Sequence, residues 1–300
     1  MSAQHGTVLV TGAAGGIGRV AVAHLAARGW DVRAFDRRPA EGLPDGVEQR
    51  VGELADVAVA RAAVAGVDRV VHLAAIPSPW NDPDDVVYVG NSAATFAVLE
   101  AAGAAGIRRA VIASSVSIYG IVWSEREQEA PEIPLSETSE LRIADPYALS
   151  KQADEACAEM VHRRYGIDVL ALRFPNVSDA ENIAERSRRV LADPDHAHRE
   201  LWAYLHLDDA ARAIELALTA EVAGAHAVNV VAPDTLGGVD VAELAKRFHP
   251  GAPCRLPLGG SVTGYTTDRA ERLLGFHAEH RWDGRRTSHA HASKPGGLHR

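Results

Sequence analysis

Cysteine is nearly absent from this chain: Cys157 and Cys254 are the only two in 300 residues. Two cysteines make no disulfide framework, so a reduced, cytoplasmic setting is expected. Lysine is almost as scarce. Of 31 basic residues only Lys151, Lys246 and Lys294 are lysines, and arginine supplies the rest. A lysine here hints that ammonium chemistry was needed. A basic excess is missing too: 40 acidic residues leave a formal charge of −9. That argues against a nucleic-acid partner, which would want a cationic face. No apolar run approaches the ~20 residues of a membrane span. The opening Met1 to Gly6 lacks the charged and apolar parts of a secretion signal. No membrane partner is expected. What remains is 47% apolar and 24% charged, the composition of an ordinary globular protein. The length suits one large domain, or one domain with a smaller lobe.

The first half alternates strand and helix signals. Short apolar runs at 7–11, 31–35, 47–51, 68–73 and 109–114 read as strands. Between them, helical periodicity runs over 17–28, 56–65 and 84–105. Apolar strands alternating with helices imply a parallel sheet covered on both faces, a doubly wound α/β fold. A loop rich in Glu, Pro and Ser covers 120–145, too long for a passive connection and therefore expected to be functional or lid-like. Asp145-Pro146 then opens a helix to about Tyr165, with Gly166 beyond it. A strand is expected at 168–174 and another near 226–231. Further helices are expected at 208–219, 239–248 and 267–274. The segment 284–300 reads as a flexible tail. Its His289, His291 and His299 are taken as solvated, and no metal is expected.

Three local patterns carry chemistry. The first is Thr11-Gly12-Ala13-Ala14-Gly15-Gly16-Ile17-Gly18, between the first strand and the first helix. Glycines spaced G-x-x-G-x-x-G let backbone approach a pyrophosphate, and the helix start offers unpaired N–H groups. Asp36 ends the second strand, where a carboxylate accepts the hydroxyls of an adenosine ribose and repels a 2′-phosphate. That favours NAD. Arg37 and Arg38 follow it and suit a 2′-phosphate, so NADP stays open. The second pattern is Tyr147 and Lys151, four apart and so on one helix face. An ammonium beside a phenol stabilises the phenolate and fits it for proton transfer. The third is Ser114, Ser115 and Ser117 at the end of the fifth strand. Ligands of open parallel sheets bind at that end, and a hydroxyl there can hold a substrate oxygen.

With these motifs in place the chain resembles the extended short-chain dehydrogenase/reductases, of the NAD-dependent epimerase/dehydratase group, from Thr7 to about Asp283. The resemblance rests on T-G-A-A-G-G-I-G at 11–18, Asp36, G-E-L-A-D at 52–56, H-L-A-A at 72–75 and Asn91. It continues through A-S-S-V-S-I-Y-G at 113–120, Y-A-L-S-K at 147–151, R-F-P-N-V at 173–177 and L-H-L-D-D at 205–209. It implies a Rossmann-type domain over 1–175, completed by later strands and helices, a small substrate lobe over 176–283, and the tail. It gives Tyr147 the general acid/base role, Lys151 that of its partner, and Ser115 that of the hydroxyl orienting substrate. Asn91 becomes the helix asparagine supporting the site and touching cofactor. Besides the turn itself (Gly12, Ala14, Gly15, Gly16, Ile17 and Gly18), cofactor contacts are implied for Asp36, Arg37, Glu53 and Leu54. Others are implied for Leu73, Ala74, Ala75, Ala113, Ser114, Pro175 and Val177. Glu53 stands where the family usually has an aspartate. A homodimer through the helices at 84–105 and 146–165 is also implied.

The substrate side is thinner. Dehydratases of the group carry an acidic pair after the strand-five serine, and this chain has Val116 and Ser117. Nucleotide-sugar epimerases carry a longer segment after R-x-P-N-V than 176–206. The short segment is similar to that of uronate and other free-sugar dehydrogenases. In that alignment Arg199 falls near the residue that clamps a sugar carboxylate, bidentate if it does so. Pro77, Ser78, Ser115, Ser117, Asn176 and Tyr204 are the other candidates for substrate contact, with Trp202 beside Tyr204 as an apolar wall. The expected activity is NAD(P)-dependent oxidation or reduction of a secondary alcohol of a sugar, uronate or polyol. A nucleotide-sugar 4-epimerase with retained NAD and a non-catalytic NAD-binding regulator are the alternatives.

Overall fold

The computed structural model describes residues 5–80 and 82–286. Seven strands form one sheet, all neighbours parallel: β1 (Thr7–Thr11), β2 (Asp31–Asp36), β3 (Glu48–Val51), β4 (Arg69–His72), β5 (Arg109–Ser115), β6 (Asp168–Phe174) and β9 (Ala225–Asn229). Two short strands, β7 (Val177–Ser178) and β8 (Leu205–His206), pair separately. The sheet order is β3-β2-β1-β4-β5-β6-β9. The order reverses between β1 and β4, and a crevice opens there at the carboxyl ends of the strands.

The helices are α1 (Gly16–Ala27), α2 (Val57–Val64), α3 (Asp84–Ala104), α4 (Pro146–Tyr165), α5 (Ala180–Ala192), α6 (Leu207–Thr219), α7 (Val241–Phe248) and α8 (Asp268–Leu274). Their ends follow the sequence signals closely. Asp56 caps α2 and Asp145 caps α4, each accepting backbone N–H groups. Pro146 occupies the first turn of α4, and Gly166 closes it in the left-handed conformation. One helix escaped the sequence reading. α5 is capped by Asp179 and buries Ile183, Ser187 and Val190, a four-then-three spacing with a serine in its middle.

Two apolar clusters cover the two faces of the sheet. One holds Val64, Ala97, Val98 and Val161 from α2, α3 and α4. The other runs from Val8 and Val10 through Leu25 of α1 and Ile214 of α6 to Trp202, Tyr204 and Tyr265. That second cluster crosses the boundary expected at 175/176, because β9 and α6 return to the sheet and the remaining late elements pack on it without a break. The loop at 120–145 is no free lid. Ile133 and Leu135 are fully buried and bridge to Cys254 and Tyr265. The tail residues 287–300, with His289, His291 and His299, lie outside the described residues.

α3 is long and apolar enough, by length and composition, to cross a membrane, which the sequence reading did not anticipate. Of its most apolar stretch 56% is buried, against α2 and α4, as in a core helix. Val86, Val89 and Phe96 of α3 and Leu149 of α4 are exposed, on the two helices expected to meet a second copy.

Candidate active site

The glycine turn is shaped by what cannot fit. A Cβ on Gly18 would stand 2.0 Å from the Gly12 carbonyl oxygen, and one on Gly12 2.7 Å from Ala74 N. Gly12 also has φ +71, a left-handed backbone that side chains resist. Gly15 precedes α1 as its cap and offers no side chain to the helix's first N–H groups, nor is there an acidic residue in that turn. A helix start left open in this way is a seat for phosphate. Asp36 locks the turn from the side: its Oδ2 accepts from Ala14 N at 3.0 Å and its Oδ1 from Arg38 N at 3.2 Å.

A cavity of about 390 Å³ opens beyond the turn. Gly12, Gly15, Gly16, Ile17 and Gly18 form one end of its lining, joined by Leu73, Ala75 and Pro77 after β4. Ala113 to Ser117 come in from the end of β5, and Phe174 to Val177 from the end of β6. Tyr147 and Lys151 project from the first turns of α4. Val122, Trp123 and Glu200 complete it.

Lys151 is buried. Its Nζ donates to Ala113 O at 3.1 Å and to Asp154 Oδ2 at 3.0 Å. It lies 5.6 Å from the centre of the Tyr147 ring. Burial opposes the ammonium charge, but Asp154, Tyr147 and Glu155 outweigh it and the pKa is raised. The cation therefore persists beside the phenol. Ser115 accepts from Ser117 N at 3.1 Å and from the Ser117 hydroxyl at 2.9 Å. With both acceptor positions engaged, its own proton is left to point at a ligand. Ser114 donates to Glu155 Oε1 at 2.6 Å, and Arg173 grips the same carboxylate through two bonds of 2.8 and 2.7 Å. Behind the turn, the His72 ring bridges Thr11 Oγ1 at 2.8 Å and Thr95 Oγ1 at 3.1 Å. Complete burial, aided by the charge of Lys151, pulls its pKa down to about 3.

Several expected contacts fall elsewhere. Asn91 does not line the cavity. Its Oδ1 accepts from Ile76 N, and its Nδ2 donates to Ile76 O and Ser150 Oγ. It ties the chain after β4 to α4, a positioning role. Leu54 is buried in the same apolar cluster as Phe35 rather than presented to the cavity. Ala14, Asp36, Arg37, Glu53 and Ala74 lie outside the cavity, along the course of the turn and the ends of β2 and β4. Ser78 also lies outside its lining. Two substrate candidates are corrected. Arg199 turns away and donates to Ser124 O at 2.6 Å. Tyr204 is buried in the core, and its hydroxyl donates to Asp234 Oδ1 at 2.6 Å. Trp202 is likewise core, fully buried with its ring N–H on Pro194 O. Pro77, Ser115, Ser117 and Asn176 do reach the lining.

The sequence reading missed Val116, Val122, Trp123, Phe174 and Glu200 as lining residues. Glu200 sits next to the arginine it had favoured. The reason is backbone conformation: Ala197, Leu201 and Trp202 all have positive φ, at 70°, 51° and 54°. Each costs an ordinary residue ~1 kcal/mol or more, and no local sequence signal marks them. Away from the cavity, His206, Asp208 and His280 bring ligand-type atoms within 4.8 Å of one another. The two rings stack at 4.0 Å and 16°, so their lone pairs lie in nearly parallel planes and do not converge on one ion.

Residues 8–231 match the NAD dependent epimerase/dehydratase family. The chain belongs to that family. It is thus an NAD-dependent enzyme of the extended short-chain dehydrogenase/reductase type. A solved short-chain dehydrogenase/reductase superfamily protein from Agrobacterium tumefaciens, with bound NAD, superposes with a TM-score of 0.70 at 28% identity, over 92% of this chain and 94% of that one. An L-arabinose 1-dehydrogenase (NAD(P)(+)) of Haloferax volcanii is 35% identical over 60% of this chain and 70% of its own length. A UDP-glucose 4-epimerase of Streptomyces lividans is 28% identical over 63% of this chain and 56% of its own length. The glycine cradle that a Cβ on Gly12 or Gly18 would fill, the open start of α1 and the carboxylate of Asp36 fit NAD.

Proposed function

We propose that this enzyme is a dehydrogenase that oxidises a hydroxyl of a free sugar, with net conversion of NAD to NADH. One observation carries the reading. Ser115, Tyr147 and Lys151 meet the glycine turn in one cavity, and Lys151 is the only cation in its lining among the described residues. A nucleotide sugar brings a diphosphate that needs countercharge, and Lys151 is already bonded to Asp154. The similarity to an arabinose dehydrogenase supports the same reading.

Gly12 to Gly18 would hold the pyrophosphate of NAD and Asp36 its adenosine ribose. When bound, NAD supplies the hydride acceptor. Tyr147 accepts the proton of the substrate hydroxyl, and the Lys151 ammonium stabilises the phenolate that does so. Ser115 donates to the substrate oxygen and fixes its place. Buried Phe174 and Pro175 exclude water from the reacting carbon.

The test is absorbance of reduced nicotinamide with NAD and a panel of free sugars. Wild-type protein should form NADH from at least one, and Tyr147→Phe should lower kcat by roughly 10²–10⁴. Undiminished turnover in Tyr147→Phe overturns the mechanism. Interconversion of UDP-sugars without net NADH would establish the epimerase alternative instead.

A further inference from the structure

Two charged side chains line the cavity among the described residues: Lys151 and Glu200. Lys151 sits beside Tyr147 and is occupied by Ala113 O and Asp154. Glu200 enters the lining from the short 198–200 turn. The preceding Arg199 is bonded to Ser124 O, which sets the 198–200 turn beside Val122 and Trp123.

The Glu200 carboxylate is held for use. Its Oε2 accepts from Arg186 Nη2 at 2.5 Å. Its Oε1 has no hydrogen-bond partner among the described residues and is not sealed from solvent. Arg186 reaches it from α5 and does not itself line the cavity. The turn is anchored on its far side by fully buried Leu201 and Trp202, both in the left-handed conformation. Leu201 fits only because residue 264 is glycine: a Cβ there would lie 2.6 Å from Leu201 Cβ. The turn is strained and tightly packed, and it leaves one carboxylate oxygen accessible to a ligand in a residue that lines the cavity.

We propose that Glu200 is the substrate-selecting residue, and that it selects an uncharged sugar held through its hydroxyl groups. A carboxylate accepts hydrogen bonds from hydroxyls and has none to donate. It repels a sugar carboxylate or phosphate placed against it. The site therefore discriminates against uronates, sugar phosphates and nucleotide sugars. This reverses the expectation of an arginine clamp at the neighbouring position. It rests on the sugar-dehydrogenase reading given above, but it is a claim about binding and is tested as such.

The experiment is equilibrium binding to protein loaded with NADH, which cannot oxidise an alcohol and so gives a dead-end complex. The probes are a panel of neutral pentoses and hexoses, the uronic acid and 6-phosphate of each hexose, and UDP-glucose. The tightest neutral hexose should bind at least tenfold more strongly than its own uronic acid. Glu200→Gln, which keeps the size and one acceptor oxygen but removes the charge, should narrow that gap at least fivefold while NADH affinity stays unchanged. Equal or tighter uronate binding by the wild type overturns the proposal, whether or not the variant folds. So does an unaltered gap in Glu200→Gln, or the absence of binding by every neutral sugar. Selective binding without any NADH formation from NAD would instead sink the dehydrogenase reading and leave this one standing. NADH formed equally well from uronates would do the reverse.

Discussion

The two sides of the cavity are built by different means. The cofactor side consists of backbone, glycines and buried polar pairs on the regular ends of β1, β4, β5 and α4. The substrate side consists of side chains on an irregular turn, held by α5 and by the 120–145 loop. Backbone recognition requires that certain residues have no side chain, and such requirements appear in sequence as motifs. Side-chain recognition on an irregular turn depends on where the backbone points, which is decided by packing from far along the chain. Glu200 shows this: its direction depends on Arg186, on the bond from Arg199 to Ser124, and on glycine at 264.

The contrast is sharpest at Gly18. A Cβ there would sit 2.0 Å from a backbone carbonyl oxygen, with no flexible side chain able to give way. Gly18→Ala must therefore displace the turn or the start of α1. NAD affinity should fall by ~100-fold or more, equivalent to about 3 kcal/mol, while sugar binding to whatever fraction is loaded with cofactor stays near the wild-type value. Titration of NAD by intrinsic fluorescence reads this directly. Affinity within threefold of wild type would mean that the cofactor side tolerates change as the substrate side does, and the comparison would fail.

A smaller effect is expected from the buried histidine behind the turn. His72 has a pKa lowered to about 3, against roughly 6.5 in the unfolded chain. Between these values the unfolded state binds the extra proton and the native state does not. Stability from neutral His72 is thus complete above pH 6.5 and falls as pH drops, by roughly 2 kcal/mol at pH 5. His72→Gln, with no proton to take up, should show a flatter fall between pH 7 and pH 5 in urea unfolding. A slope identical to wild type would show that the histidine titrates alike in both states.

Much of this was readable beforehand. The strands of the first half, the Asp145 cap, the glycine turn and the Tyr147–Lys151 spacing all follow from local rules, and each stands where those rules put it. α5 was missed because its buried stripe is only Ile183, Ser187 and Val190 on an otherwise charged helix. A stripe with a serine at its centre leaves a weak apolar period, although the Asp179 cap was a usable signal. Tyr204 was misplaced because an aromatic near a cleft has the same sequence signature whether it faces ligand or core. Its partner Asp234, thirty residues on, decides the matter. Asn91 was expected to support the site and touch cofactor; its amide is spent on Ile76 and Ser150, which fits the supporting part of that expectation.

The finest test of the comparison is Ala197→Gly. Ala197 has φ 70 at the entry to the Glu200 turn. Glycine removes the ~1–2 kcal/mol strain of a left-handed alanine and adds about 0.5–1 kcal/mol of unfolded-state entropy. The protein should therefore gain up to about 1 kcal/mol in urea unfolding. If the strain serves to hold Glu200 in place, the more permissive glycine should at the same time weaken neutral-sugar binding severalfold and leave NAD affinity alone. Stability gained with sugar affinity unchanged would mean that the strained entry to the turn is incidental to Glu200. Stability lost would mean that Ala197 is held by its own packing against the core, and that the cost of the irregular turn is met locally rather than by the elements around it.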